Sequence, residues 1–187
     1  MNIGEYRLYS IETSEFSLDG GAMFGIIPKV LWEKKAPSDS MNRIEMVTRS
    51  LLLVSESHKI LIDTGNGSKW TKKYIDLYNI DLSRYNIDSS LKKYGFNPED
   101  ITDVICTHLH FDHAGGNTSY DQNTVVPTFP NANYWISEKN WTLANHPSQK
   151  DQGSFMEYDW EVLAHNNMIK LVKEQFLPGI EIHFTQG

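Results

Sequence analysis

A single cysteine, Cys106, among 187 residues leaves no partner for a disulfide within the chain. The opening stretch MNIGEYRLYSIETSEF has neither a basic n-region nor an apolar h-region, and a reducing, cytoplasmic setting is the expectation. No run approaches the roughly 18 apolar residues of a membrane span, and no acylation or prenylation signal occurs, so no membrane partner is expected. Positive charge is also scarce: 17 Lys+Arg face 24 Asp+Glu, for a formal net charge of -7. The pairs Lys34-Lys35 and Lys72-Lys73 are too small to make a phosphate-binding patch, which excludes nucleic acid as an expected partner. Repeats, low-complexity tracts and linker-like shifts are missing, so residues 1–187 read as one domain. What is there, 40% hydrophobic and 12% aromatic residues, is enough to build a core.

Patterning gives a coarse order of elements. Residues 5–13 read as a first strand, and 17–21 as a turn whose Gly20 and Gly21 permit positive φ. Residues 26–42 read mostly as loop, and the apolar runs 49–54 and 59–63 as a hairpin of buried strands, the second ending in Asp63-Thr64-Gly65. Asp88 is expected to cap a helix through Lys93 closed by Gly95, and Asn97 before Pro98 to cap another ending near Asp103. Strands follow at 104–107 and 132–136, with a helix starting at Ser137. Residues 159–176 show helical spacing, and 180–185 alternate as a strand after the Pro178-Gly179 turn.

The chemistry concentrates directly after the 104–107 strand. Thr107-His108-Leu109-His110-Phe111-Asp112-His113-Ala114-Gly115-Gly116 puts three of the seven histidines and a carboxylate close together. Imidazole nitrogens and a carboxylate oxygen suit zinc, and also iron or manganese. On a loop turning into a helix, His108 and His110 can face one point and Asp112 with His113 another, as a two-metal site requires.

HxHxDH after a buried strand, preceded by a strand ending in Asp-Thr-Gly, resembles the metallo-beta-lactamase superfamily. Within it, His110-Phe111-Asp112-His113-Ala114-Gly115-Gly116-Asn117 is most similar to the branch that opens N-acyl homoserine lactones, and to related organophosphate hydrolases. The resemblance implies an α+β, four-layer αββα sandwich, present as its N-terminal part only. It implies that His108 and His110 ligate one metal, Asp112 and His113 a second, and that Asp63 orients an imidazole from behind. Zinc, two ions per complete site, is the implied cofactor, and a hydroxide between the ions the implied nucleophile on a lactone or other ester-like bond. Asp112 would also pass a proton to the leaving group.

Thioester hydrolysis of the glyoxalase II type and phosphotriester hydrolysis use the same loop, and a small-molecule substrate and a homodimer are implied. A reading of another class is a truncated, inactive member that serves as an interaction module. Family members continue past a strand like 180–185 into a Gly-His segment, a bridging aspartate and a last histidine. The chain is therefore expected to be the N-terminal portion of a longer enzyme, and inactive alone. Cys106 is expected to be a buried thiol, and His58, His146 and His165 surface residues. Trp32, Trp70, Trp135, Trp141 and Trp160 are read as core or subunit-interface packing, and Met23 with Phe24 as lining a substrate mouth.

Overall fold

The structure is a computed structural model that describes residues 1–172 and 175–185. Its elements run β1 (Asn2–Ile3), β2 (Tyr6–Asp19), α1 (Gly20–Phe24), α2 (Lys29–Trp32), β3 (Arg43–Val54), β4 (Lys59–Ile62), α3 (Lys72–Tyr78) and α4 (Ile87–Lys92). Then come β5 (Asp103–Ile105), α5 (Phe111–Ala114), β6 (Thr118–Asp121), β7 (Thr124–Pro127), β8 (Asn133–Ser137), α6 (Glu138–Asn145), α7 (Glu161–His165), β9 (Ile169–Val172), β10 (Gln175–Leu177) and β11 (Ile180–Glu181). Among the described residues no helix is long and apolar enough to cross a membrane.

The main sheet has the order β1-β2-β3-β4-β5-β8-β9, antiparallel from β1 to β4 and parallel from β4 onward. Period-two alternation gives it two apolar faces. Ile11, Leu52, Leu61, Val104, Tyr134 and Ile136 point to one face, where Leu91 of α4, Ala144 of α6 and Leu163 of α7 pack. Tyr6, Ile60 and Ile105 point to the other and meet Leu177, with Ile180 and Ile182 alongside. The Tyr6 hydroxyl donates to the Pro178 carbonyl at 2.7 Å and ties the β10–β11 hairpin to that face.

Several expectations are corrected. β2 runs on to Asp19 because a register shift between Glu12 and Ser14 lets the ladder resume after a bulge. There the hydroxyls of Thr13 and Ser14 are buried together against that of Thr48, each at 2.6 Å. Gly20 and Gly21 open α1 instead of a positive-φ turn, with Asp19 Oδ1 accepting from the Ala22 amide at 2.8 Å. β3 starts at Arg43, and α2 interrupts the 26–42 loop. Asn86, not Asp88, caps α4, accepting from the Ser89 amide at 2.9 Å. Asn97 does open a capping box, but for one short turn, Pro98–Asp100.

The expected helix over 159–176 is α7 followed by β9, separated at Asn167, whose φ of 57 ends the helix. Pairing with β8 makes the second half a parallel strand, while Lys173 and Glu174 lie outside the described residues. The strand over 180–185 is only Ile180–Glu181. The structure also adds α3 and the β6–β7 hairpin, whose Gln122 and Asn123 (φ 45 and 71) form a two-residue turn of the twist hairpins favour.

Candidate metal centre

Because β4, β5 and β8 are parallel, their carboxyl ends emerge at one edge of the sheet, the usual position for a ligand site in such sheets. Asp63 follows β4 and the histidine loop follows β5. Asp63 adopts φ 57, a left-handed conformation that aspartate tolerates better than most side chains. Its amide donates to the Ile105 carbonyl at 2.9 Å, which ties it to the end of β5. Its carboxylate accepts from the Thr107 amide at 2.8 Å, from the Thr107 hydroxyl, and lies 2.8 Å from His113 Nδ1. The following segment passes close against the end of the histidine loop: the Gly116 amide donates to the Gly65 carbonyl at 3.1 Å. A Cβ at Gly67 would run into the carbonyl of Gly115, so only glycine allows that approach.

His108, Asp112 and His113 each offer a ligand atom, and these atoms lie within 4.8 Å of one another. The convergence crosses the two pairs expected from the spacing. His110 stands beside the trio, its ring centroid 4.6 Å from that of His108 and edge-on to it, and 4.7 Å from that of Phe155. The rings of His108 and His113 are 4.0 Å apart, and His113 Nε2 is 3.5 Å from Asp112 Oδ2. Two imidazoles and a carboxylate form a donor set that suits a borderline-soft divalent ion.

The electrostatics divide the rings: His108 and His110 are held toward the neutral form that ligates, and His113 toward the protonated form while no ion is bound. Burial, reinforced by the His113 and His110 charges, pulls His108 down to about 4. Burial also lowers His110. At His113 burial pulls downward too, but the hydrogen bond and charge of Asp63, with the charge of Asp112, outweigh it and the net shift is upward. Cys106 lies under the loop, where burial and then the Asp63 charge push its thiol up to about 12. Its sulfur meets Asn117, whose Nδ2 donates to it at 3.4 Å; this is a packed thiol and not a nucleophile.

Met23 and Phe24 lie in α1. Phe24 stacks on Trp32 with centroids 5.0 Å apart, and Met23 is exposed. His146 and His165 are exposed, as expected of surface residues. His58 is not a free surface residue: it is half-buried, with Nδ1 3.0 Å from Asp103 Oδ2. His183 is exposed beside Glu181. Two contributors escaped the sequence reading: Thr107, whose hydroxyl links Asp63 to His108 Nδ1 at 3.2 Å, and Phe155, which forms an isolated bridge with His110. Thr107 sits inside the motif, so its place there is a usable signal; nothing near Phe155 in the sequence marks it.

An N-acyl homoserine lactonase from Bacillus cereus is 26% identical over 157 residues, covering 78% of this chain and 56% of the relative. N-acyl homoserine lactonase AiiB from Agrobacterium fabrum is 26% identical over 117 residues, covering 58% and 42% respectively. The chain spans about half the length of the curated relatives it matches. A solved structure of a probable metal-dependent hydrolase from Staphylococcus aureus superposes with a TM-score of 0.83 at 28% identity, covering 95% of this chain and 62% of the other. AidC, a dizinc quorum-quenching lactonase solved with its product, shares the fold at a TM-score of 0.68 and 22% identity, covering 95% and 62%. The metallo-beta-lactamase superfamily profile matches residues 44–178, from β3 through the histidine loop to the β10–β11 turn. By that match, the chain belongs to the metallo-beta-lactamase superfamily.

Proposed function

We propose that the chain carries the metal loop of a zinc-dependent hydrolase that opens a lactone or other ester-like bond in a small-molecule substrate. The observation that carries this reading is the convergence of His108, Asp112 and His113 within 4.8 Å on the loop after a parallel strand. The lactonases among its relatives support the lactone. In this reading His108 and His110 hold one ion and Asp112 and His113 the adjoining one, and iron or manganese would suit the same donors. Bound there, such ions would act as Lewis acids on the substrate carbonyl and make water a usable nucleophile at neutral pH.

The chain's own residues orient and move protons. Asp63 accepts a hydrogen bond from the Nδ1–H of His113 across 2.8 Å, which leaves Nε2 as the ligating nitrogen. Asp112, engaged through one oxygen, keeps the other to carry a proton to the leaving oxygen. Phe155 packs its ring edge-to-face against His110 at 4.7 Å and limits the positions that ring can take. Met23 and Phe24 line the substrate mouth in this reading, so replacing both with alanine raises KM for an acyl lactone; unchanged kinetics would remove them from it.

Four donors shared by two ions fall short of the three protein ligands a catalytic zinc usually has. The remaining donors therefore come from a further segment of a longer cytoplasmic protein or from a second copy of the chain. Elemental analysis after gel filtration tests this together with titration of acid released on lactone opening. Zinc bound by the wild type and lost in His110→Ala, with activity lost in parallel, is the expected result. Activity that persists after chelation would sink the mechanism, and a partner bound equally by both proteins without metal would favour an interaction module.

A further inference from the structure

We propose that Lys69 is a positioning residue for this centre: its ammonium fastens the wall that covers His110 to the turn that follows the histidine loop. The inference rests on reading that loop as a metal centre.

Lys69 is buried, with its side chain 2% exposed, and its Nζ donates to the carbonyls of Gly115 at 2.6 Å and Thr118 at 2.7 Å. Its third neighbour is Asp159 Oδ1 at 3.0 Å, on a side chain only 1% exposed. Two of its three N–H bonds go to those carbonyls, and the Asp159 carboxylate, which accepts no hydrogen bond, faces the same ammonium as its counter-charge. Gly115 lies just beyond His113, and Thr118 opens β6. Asp159 closes the short turn Glu157–Asp159, and the Thr118 hydroxyl donates to the Tyr158 carbonyl at 2.8 Å, a second tie between the same segments.

The segment so fastened carries Phe155, which bridges to the His110 backbone and lays its ring 4.7 Å from the His110 ring. Trp160 backs Phe155 edge-on at 6.3 Å. A buried ion pair adds little to stability over well-packed apolar residues, because desolvation offsets the attraction. Its distinctive contribution is direction. Two directed hydrogen bonds to the loop side and a buried counter-charge on the wall side hold the wall to one seat on the histidine loop, where a merely apolar contact would let it slide.

The test uses the full chain with Lys69→Met, which keeps length and removes charge, and with the double variant Lys69→Met/Asp159→Leu, which leaves no lone buried charge. Leu91→Ala, in the fully buried core of α4, serves as a control for general destabilisation. Hydrogen exchange of the Asp159 and Trp160 amides and the His110 ring NMR signals are read on the metal-free protein. Zinc affinity is then read by competition with a chromophoric chelator.

In the Lys69 variants those amides should exchange about tenfold faster than in Leu91→Ala, the His110 signals should move, and zinc should bind about tenfold more weakly. If Lys69→Met does not fold, the double variant decides. Wild-type exchange and ring signals in a folded Lys69 variant, or equal changes in Leu91→Ala, would overturn the proposal. Should the wild type itself bind no zinc, the metal reading fails while the metal-free measurements still judge the clamp.

Discussion

At the amino-terminal end of β5, Asp103 sits beside His58 Nδ1 at 3.0 Å; just past its carboxyl end, Asp63 sits beside His113 Nδ1 at 2.8 Å. Both carboxylates are well supplied with donors. Asp103 also accepts from the Thr102 hydroxyl at 2.7 Å and the Trp135 indole at 2.8 Å, and Asp63 from the Thr107 amide and hydroxyl. The difference lies on the other side of each imidazole. His113 turns its Nε2 toward Asp112 and joins His108 in the single cluster of metal-ligating type among the described residues, and His58 joins none. An aspartate that orients a histidine is therefore not a site by itself. It becomes one where the nitrogen it leaves free looks at other donors.

The comparison breaks most sharply at the imidazoles. His113→Ala should weaken zinc binding by more than about a hundredfold, since it removes a donor outright, and His58→Ala should leave it within about twofold. Chelator competition on both variants decides; a comparable loss in His58→Ala would erase the distinction drawn above. The carboxylates come next. Asp63→Asn should cost about tenfold or more in zinc affinity through loss of ring orientation. Asp103→Asn should instead cost about 1–3 kcal/mol in urea unfolding, because at the buried Asp103 the half-buried His58 and Trp135 donors lose a charged acceptor, with zinc affinity retained.

How far these sites could be read from the sequence follows from how local they are. The histidine loop is contiguous, so residue type and spacing suffice to find it. The β3–β4 hairpin was legible for the same reason, as two apolar runs around a short polar turn. His58 and Asp103 are 45 positions apart, and Lys69 meets Asp159 from another segment; only the finished sheet brings either pair together. Val162, Leu163, Ile169 and Val172 fit a helical period, yet β8 offers a parallel edge that recruits the second half of that stretch. The bulge in β2 likewise breaks the alternation at Thr13 and Ser14, where buried hydroxyls replace apolar side chains.

Proton linkage gives a smaller effect with a definite sign. His108 falls from 6.5 to about 4 on folding, so between those values the unfolded chain holds the extra proton. The metal-free protein should therefore lose stability as pH falls from about 6.5 toward 4. His113 is shifted upward, so its contribution is fully present below the unfolded pKa and fades as pH rises through the folded one. Urea midpoints of chelator-treated protein at several pH values check both. His108→Gln should flatten the acid limb, and an unchanged limb would assign the acid sensitivity elsewhere.

The least disruptive change tests the core beneath the centre. Cys106 packs fully buried beside Asn117, whose Oδ1 also accepts from the Thr64 hydroxyl at 3.0 Å. Cys106→Ala leaves that second hydrogen bond in place and removes one sulfur atom, so it should cost about 1 kcal/mol and leave zinc affinity unchanged. In the wild type, a thiol pushed up to about 12 and closed to solvent should resist alkylation at neutral pH until the chain opens. The labelling rate should then follow the opening of the core, slowing when zinc is added, because an ion held by the loop above stabilises the closed state. Rapid labelling of the folded, zinc-loaded protein would show instead that this end of β5 opens on its own, and that the oriented pair above it is no more rigid than its counterpart at the other end.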